Sequence, residues 1–209
     1  MDNSYLKIVD YYNKAFDQYG DTPKGLAWDN QSNLNKRYKV MFDLIKYPTQ
    51  ITPNTTVLDF GCGYGGFYKW IKEHEKLVEY TGLDINKEVL KIAKEKYPKI
   101  TWLDSDIHEN IFDSNFDYII CNGTFTVKDT LTQEEMTNFM CSTLEKLWTK
   151  TNNGIAFNVM SKLVDWERDD LFHVSMDQLG QWLIDNLSRN FVIKNDYGLY
   201  EYTVYVYKN

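Results

Sequence analysis

The stretch TVLDFGCGYGG, Thr56–Gly66, constrains this chain more than any other. β-Branched and apolar residues up to Asp59 form a short strand, Thr55–Asp59. Gly61, Gly63, Gly65 and Gly66 follow it, ahead of a helical segment carrying Phe67, Trp70 and Ile71. Glycine has no Cβ, so the chain there turns sharply and its backbone comes close to a ligand. The helix beyond presents N–H groups without partners inside the helix. In an open α/β sheet, the crevice at the carboxyl end of such a strand is where ligands bind.

The remaining chain supplies the sheet. Val78–Leu83, Ile100–Leu103, Phe116–Cys121 and Ile155–Val159 read as further strands, separated by helical patterns. One helix turns Val89, Ile92 and Ala93 inward and Lys87, Lys91 and Lys94 outward. Another starts at a capping box, Thr132 with Glu135, and carries Met136, Phe139, Met140, Thr143, Leu144 and Leu147 on one face. Ser175 and Gln178 predict a second capping box before Leu179, Trp182 and Leu183. Phe191–Ile193, a turn near Gly198 and the alternating run Tyr200–Lys208 predict a closing hairpin. Upstream, Tyr5, Ile8, Val9, Tyr12, Phe16 and Tyr19 recur at helical spacing as far as Gly20, and Leu34, Tyr38, Met41, Phe42 and Ile45 form a second stripe ending before Pro48. The expectation is one domain over 1–209: a helical extension or lid over 1–50 and a doubly wound, mostly parallel sheet over 51–209 with an antiparallel edge.

Composition narrows the partners. With 23 basic and 30 acidic residues, the net charge of −7 lacks the basic footprint of non-specific nucleic-acid binding. No apolar run approaches the roughly 18 residues of a membrane span. The start MDNSYLKIVD lacks the pattern of a signal peptide, and Cys62, Cys121 and Cys141 match no zinc or CxxC spacing, so a cytoplasmic protein is expected. Asp104, Asp106 and His108 mimic the start of a calcium loop, but Glu109 and Asn115 stand where glycine and glutamate belong, and no metal is expected.

Two acids continue the theme of the glycine loop. Asp84 ends the second strand 19 residues past Gly65, and Asp106 follows the third strand 22 residues later. An acid at the first position accepts bonds from both hydroxyls of a ribose, and three signals at successive strand ends form a nucleoside pocket. Gly61, Gly63 and Gly66 also satisfy the dinucleotide spacing. Against a nicotinamide enzyme stand the short chain and Asp59, which suits a ligand with a cationic amino group.

The order LDFGCGYGG, GLDIN, DSDI and FDYIICNG resembles the class I S-adenosylmethionine-dependent methyltransferases over roughly residues 55–160. The resemblance implies a Rossmann-like, seven-stranded sheet whose last strand, Tyr200–Lys208, is antiparallel. It implies that Asp59 and the loop Gly61, Cys62, Gly63 and Gly65 hold the methionine portion. Asp84 with Ile85 is implied for the ribose, and Asp106 with Ile107 for the adenine. FDYIICNGTFTVK, GIAFNVMS and DYGLYEYTVYVYK resemble a subgroup of small bacterial methyltransferases, in which the loop resembling GLAWDNQSNLNKRY lids the cofactor. Trp28, Gln31 and Arg37 are its contact candidates.

Methyl transfer from a sulfonium mainly needs positioning and exclusion of water, with a base for an oxygen nucleophile. Asn122, at the end of the fourth strand, faces the transferable methyl by that resemblance and is a cofactor and catalytic candidate. The stretch Asn122-Gly123-Thr124-Phe125 keeps the Asn and aromatic of base-methylating relatives and lacks their two prolines. His173 is the candidate base, His108 a neighbour of the adenine, and Tyr200 or Glu201 a reach into the acceptor pocket. The expected activity is methyl transfer to a small polar acceptor, at oxygen, with a saccharide or surface-polymer building block as the subgroup's suggestion. The alternatives are a non-catalytic cofactor-binding module and the nicotinamide-dependent oxidoreductase.

Overall fold

The computed structural model describes residues 4–26, Trp28, 30–45 and 54–208, so the expected end of the second stripe before Pro48 lies outside the described residues. Two helices, α1 (Leu6–Tyr19) and α2 (Gln31–Phe42), precede the sheet, with one 3-10 turn at Pro23–Leu26 between them. Then β1 (Thr56–Phe60), α3 (Gly66–Glu73), β2 (Glu79–Asp84), α4 (Lys87–Lys96) and β3 (Thr101–Asp104) alternate. They are followed by β4 (Phe116–Cys121), α5 (Gln133–Trp148), β5 (Thr151–Ser161), β6 (His173–Val174), α6 (Met176–Asn186), β7 (Phe191–Lys194) and β8 (Glu201–Tyr207).

The sheet order is β3-β2-β1-β4-β5-β8-β7, with two-residue β6 pairing beside β5. β1, β2, β3, β4 and β5 are parallel, and β8 runs antiparallel between β5 and β7. The antiparallel strand is therefore interior, not the edge, and β7 takes the edge. The chain runs from β1 outward through β2 and β3, then returns to β4 on the other side of β1. That reversal opens a crevice beside the carboxyl end of β1.

Apolar side chains pack on both faces. Leu58, Ile119, Ile155, Phe157 and Val204 meet Ile8 of α1, Met136 and Leu144 of α5 and Leu183 of α6. Val57, Tyr118, Ile120 and Ala156 meet Met41 of α2, Phe67 and Trp70 of α3 and Ala93 of α4. Burial at β8 is continuous because its alternate residues feed the two layers, Tyr202 and Val206 one and Tyr205 and Tyr207 the other.

The capping box at Thr132 forms in full, whereas Ser175 caps α6 without a side-chain hydrogen bond. Leu90 of α4 is buried and Ile92 is only half-buried, a rotation of the expected inner face. β5 extends beyond both ends of the expected Ile155–Val159, because β4 and β8 pair with it along its length. No helix among the described residues is long and apolar enough to cross a membrane.

Candidate active site

The turn after β1 is stitched to the end of β2. The amides of Gly61 and Cys62 both donate to the Leu83 carbonyl, at 2.8 and 3.0 Å. Gly61 and Gly63 have φ of 77° and 54°, which L side chains resist. A Cβ on Gly61 would also stand 2.9 Å from the Thr124 hydroxyl. Asp84 locks the loop: its Oδ2 accepts from the Gly63 amide at 2.8 Å and its Oδ1 from the Asn86 amide at 2.9 Å. Burial raises the Asp84 pKa, and these amides work against the rise.

Asp59 lies at the heart of the crevice, 2% exposed, with the Tyr80 hydroxyl donating to it at 2.6 Å. Burial pushes its pKa up to about 7, the Tyr80 bond opposes this, and the Asp84 charge adds to it. Such a carboxylate favours a cation as neighbour over solvent-free isolation. Cys62 is buried, and that burial pushes its thiol pKa well up.

After β3, Asp106 accepts from the Tyr5 hydroxyl at 2.5 Å and from the His108 amide at 2.8 Å. The His108 ring lies against Tyr5 and Phe139, with Nε2 2.9 Å from the Thr143 hydroxyl. Burial, then the Lys146 charge, lowers its pKa. Lys146 donates to the carbonyl of buried Ile107 at 3.0 Å.

After β4, Gly123 (φ 83°) is held from both sides. Its amide donates to Asn158 Oδ1 at 2.7 Å, and its carbonyl accepts from the Tyr12 and Thr126 hydroxyls at 3.1 and 2.9 Å. The Trp28 ring packs where a Cβ on Gly123 would go. Asn122 Oδ1 is buried and has no hydrogen-bond partner among the described residues.

These groups converge on one cavity of about 160 Å³. Trp28, Asp59, Gly61, Cys62, Gly63, Asp84, Ile85, Asp106, Ile107 and Asn122 all line it, as does His108. Six other candidates do not. Gly65 is the left-handed N-cap of α3, where a Cβ would meet Trp102 and Tyr97, so it shapes the turn from behind. Gln31 is exposed and donates to Asn35 one turn along α2, at 2.8 Å. Arg37 backs the Trp28 ring, its guanidinium carbon 4.0 Å from the ring centroid, and pairs with Glu201 at 2.6 Å.

His173 is buried outside the cavity. The pairing of β6 with β5 turns its ring back onto its own loop, with Nδ1 2.6 Å from the Ser161 carbonyl and Nε2 accepting from the Arg168 amide at 3.2 Å. Both nitrogens are engaged, so its position gives no support to a role as base. Tyr200 is exposed and Glu201 is committed to Arg37, so neither enters the cavity.

Sequence reading missed Tyr5, the N-cap of α1, Ile8, Val9 and Tyr12 of α1 and Tyr38 of α2 as cavity residues. Their helical stripes announced burial but not what they would bury against. Phe139 of α5 was missed for the same reason, and Thr124 because the turn after β4 has no periodicity to place it.

The chain is similar to known methyltransferases. Residues 57–146 match a family model described as a methyltransferase domain. A protein of Mycobacterium tuberculosis named as a methyltransferase is 28% identical over 73% of this chain and 93% of its own length. The malonyl-[acyl-carrier protein] O-methyltransferase of Anoxybacillus flavithermus is 32% identical over 57% of this chain and 44% of its own. Magnesium protoporphyrin IX methyltransferase of Synechocystis PCC 6803, crystallised with S-adenosylmethionine, shares the fold at a TM-score of 0.67, with 16% identity over 100% of this chain and 99% of that one. These matches, together with the glycine-loop crevice, support an enzyme of the class I S-adenosylmethionine-dependent methyltransferases.

Proposed function

We propose that the enzyme holds S-adenosylmethionine in this cavity and methylates an oxygen of a small polar acceptor. The observation that carries the cofactor placement is the convergence of Asp59, Asp84, Asp106 and the positive-φ glycines on one space. The donor set fits the group. A buried carboxylate near neutrality receives an ammonium, Asp84 keeps lone pairs for ribose hydroxyls, and the glycine backbone admits close approach. When bound, the cofactor supplies a methyl group on a sulfonium, which is already a good leaving group.

The chain's own residues then position and exclude water. Asp84 with Ile85 orients the ribose, and Asp106 with Ile107 and His108 flanks the adenine. Asn122 Oδ1, buried and without a partner, accepts a hydrogen bond from a ligand hydroxyl or ammonium and so orients it. α1 acts as the lid: Tyr5 bonds Asp106, Tyr12 bonds the Gly123 carbonyl and Asn13 meets Asn86. At about 160 Å³ the cavity is smaller than the roughly 300–1,000 Å³ usual for ligand sites.

Phe125 supports a non-nucleobase acceptor. It is fully buried, edge-on to Phe139 and Phe157, and so is not presented to a planar base. The named activity of the Anoxybacillus relative, transfer to oxygen, supports the same choice. The test is methyl transfer from radiolabelled S-adenosylmethionine to panels of hydroxylated and carboxylated small molecules, amines and nucleosides. Transfer to a hydroxyl or carboxylate is expected, and transfer confined to base or amine nitrogens would overturn the oxygen assignment.

A further inference from the structure

Arg37 and Glu201 form a bidentate pair in which the Arg37 side chain is 11% exposed and that of Glu201 1%. Nε lies 2.9 Å from both carboxylate oxygens and Nη2 2.6 Å from Oε2. Each partner extends the contact toward the cavity. On one side, the guanidinium plane stacks on Trp28, and Trp28 covers Gly123. On the other, Glu201 Oε1 accepts from Asn158 Nδ2 at 2.9 Å, and Asn158 Oδ1 accepts from the Gly123 amide at 2.7 Å. Tyr197 adds a donor to Glu201 at 3.4 Å. The two arms close on the same peptide, next to Asn122 and on the β4 side of β1.

Asp84 and Asp106 lie on the opposite side, at the ends of β2 and β3. On the cofactor placement proposed above, they hold the adenosine, and the Trp28–Gly123 edge meets the amino-acid end and the methyl group. We propose that Arg37 is a positioning residue for that end of the cofactor, acting through Trp28 by one arm and through Glu201, Asn158 and the Gly123 amide by the other. Arginine suits the task where lysine would not, because its plane stacks on an indole while its fork grips a carboxylate. The contact also joins α2, which carries Arg37, to β8.

Two ligands separate the ends of the site. S-adenosylhomocysteine carries the amino-acid portion, whereas 5′-methylthioadenosine keeps the adenosine and lacks it. Calorimetric affinities of both are measured for the intact protein and for Trp28→Leu, Arg37→Lys and Arg37→Met, with the thermal midpoint of each variant. The expected result is at least tenfold weaker S-adenosylhomocysteine in all three variants, with methylthioadenosine within about twofold. Trp28→Leu and Arg37→Lys keep a charged or intact partner for Glu201 and carry the test if Arg37→Met does not fold. Equal weakening of both ligands, or lowered midpoints with both affinities unchanged, would reduce Arg37 to a structural staple and overturn the proposal. If the unaltered protein binds neither ligand, the cofactor placement itself fails, and this inference with it.

Discussion

The two sides of the cavity are built by different means. On the side of β2, the ties of the glycine loop and β1 are short in sequence: Gly63 to Asp84 and Tyr80 to Asp59 each span 21 residues. Each joins β1 or the loop that follows it to the neighbouring parallel strand β2, so residue type and spacing nearly dictate the contact. On the β4 side, Arg37 and Glu201 are 164 residues apart and Asn158 and Glu201 are 43 apart. These meet only because β8 inserts between β5 and β7 and α2 packs across the sheet. One side is a motif and the other is an assembly, and variants separate them.

The largest effect belongs to the motif side. Gly63→Val forces a β-branched side chain into a left-handed conformation beside Asp84, and calorimetry is expected to show no S-adenosylmethionine binding. Next comes the assembly. Arg37→Met leaves the Glu201 carboxylate buried without its cation and is expected to cost about 3–5 kcal/mol in chemical denaturation. Asp84→Ala removes hydroxyl contacts and is expected to weaken cofactor binding by about 1–3 kcal/mol, read by titration.

Asp59 gives a pH test of the motif side. Its pKa in the folded, unliganded protein is raised to about 7 by burial. Its contribution to stability is therefore full below about pH 4, its unfolded range, and is lost as pH rises through 7. An ammonium ligand reverses the preference by favouring the ionised form. S-adenosylhomocysteine is expected to bind up to about tenfold more tightly at pH 7.5 than at pH 6, with methylthioadenosine nearly unchanged. The smallest effect lies away from the site: Thr132→Ala breaks the capping box of α5 and is expected to cost about 1 kcal/mol with cofactor affinity unaltered.

This contrast also sets what was legible in the sequence. The glycine loop, Asp84 and Asp106 were readable because backbone conformation and strand-end placement are local consequences of residue type. The strand–helix alternation was readable for the same reason, as was Thr132 with Glu135. The interior position of β8 was not, since a hairpin pattern does not say which of its strands pairs with β5. Nor was the fate of His173, whose ring direction follows from the two-residue pairing of β6. Trp28 was named as a lid contact and does line the cavity, whereas Arg37, named beside it, stands one layer back. Tyr5 and Tyr12 looked like core residues of an amphipathic helix, and their hydroxyl partners Asp106 and Gly123 are 101 and 111 residues away.

Parallel calorimetric titration of the purified protein with S-adenosylhomocysteine and NAD, repeated on Asp84→Ala, identifies the cofactor and the residue that holds it. Micromolar binding of S-adenosylhomocysteine, clear weakening in the variant and no heat with NAD are expected. Binding of NAD alone, or S-adenosylhomocysteine binding that ignores Asp84, would contradict the cofactor placement.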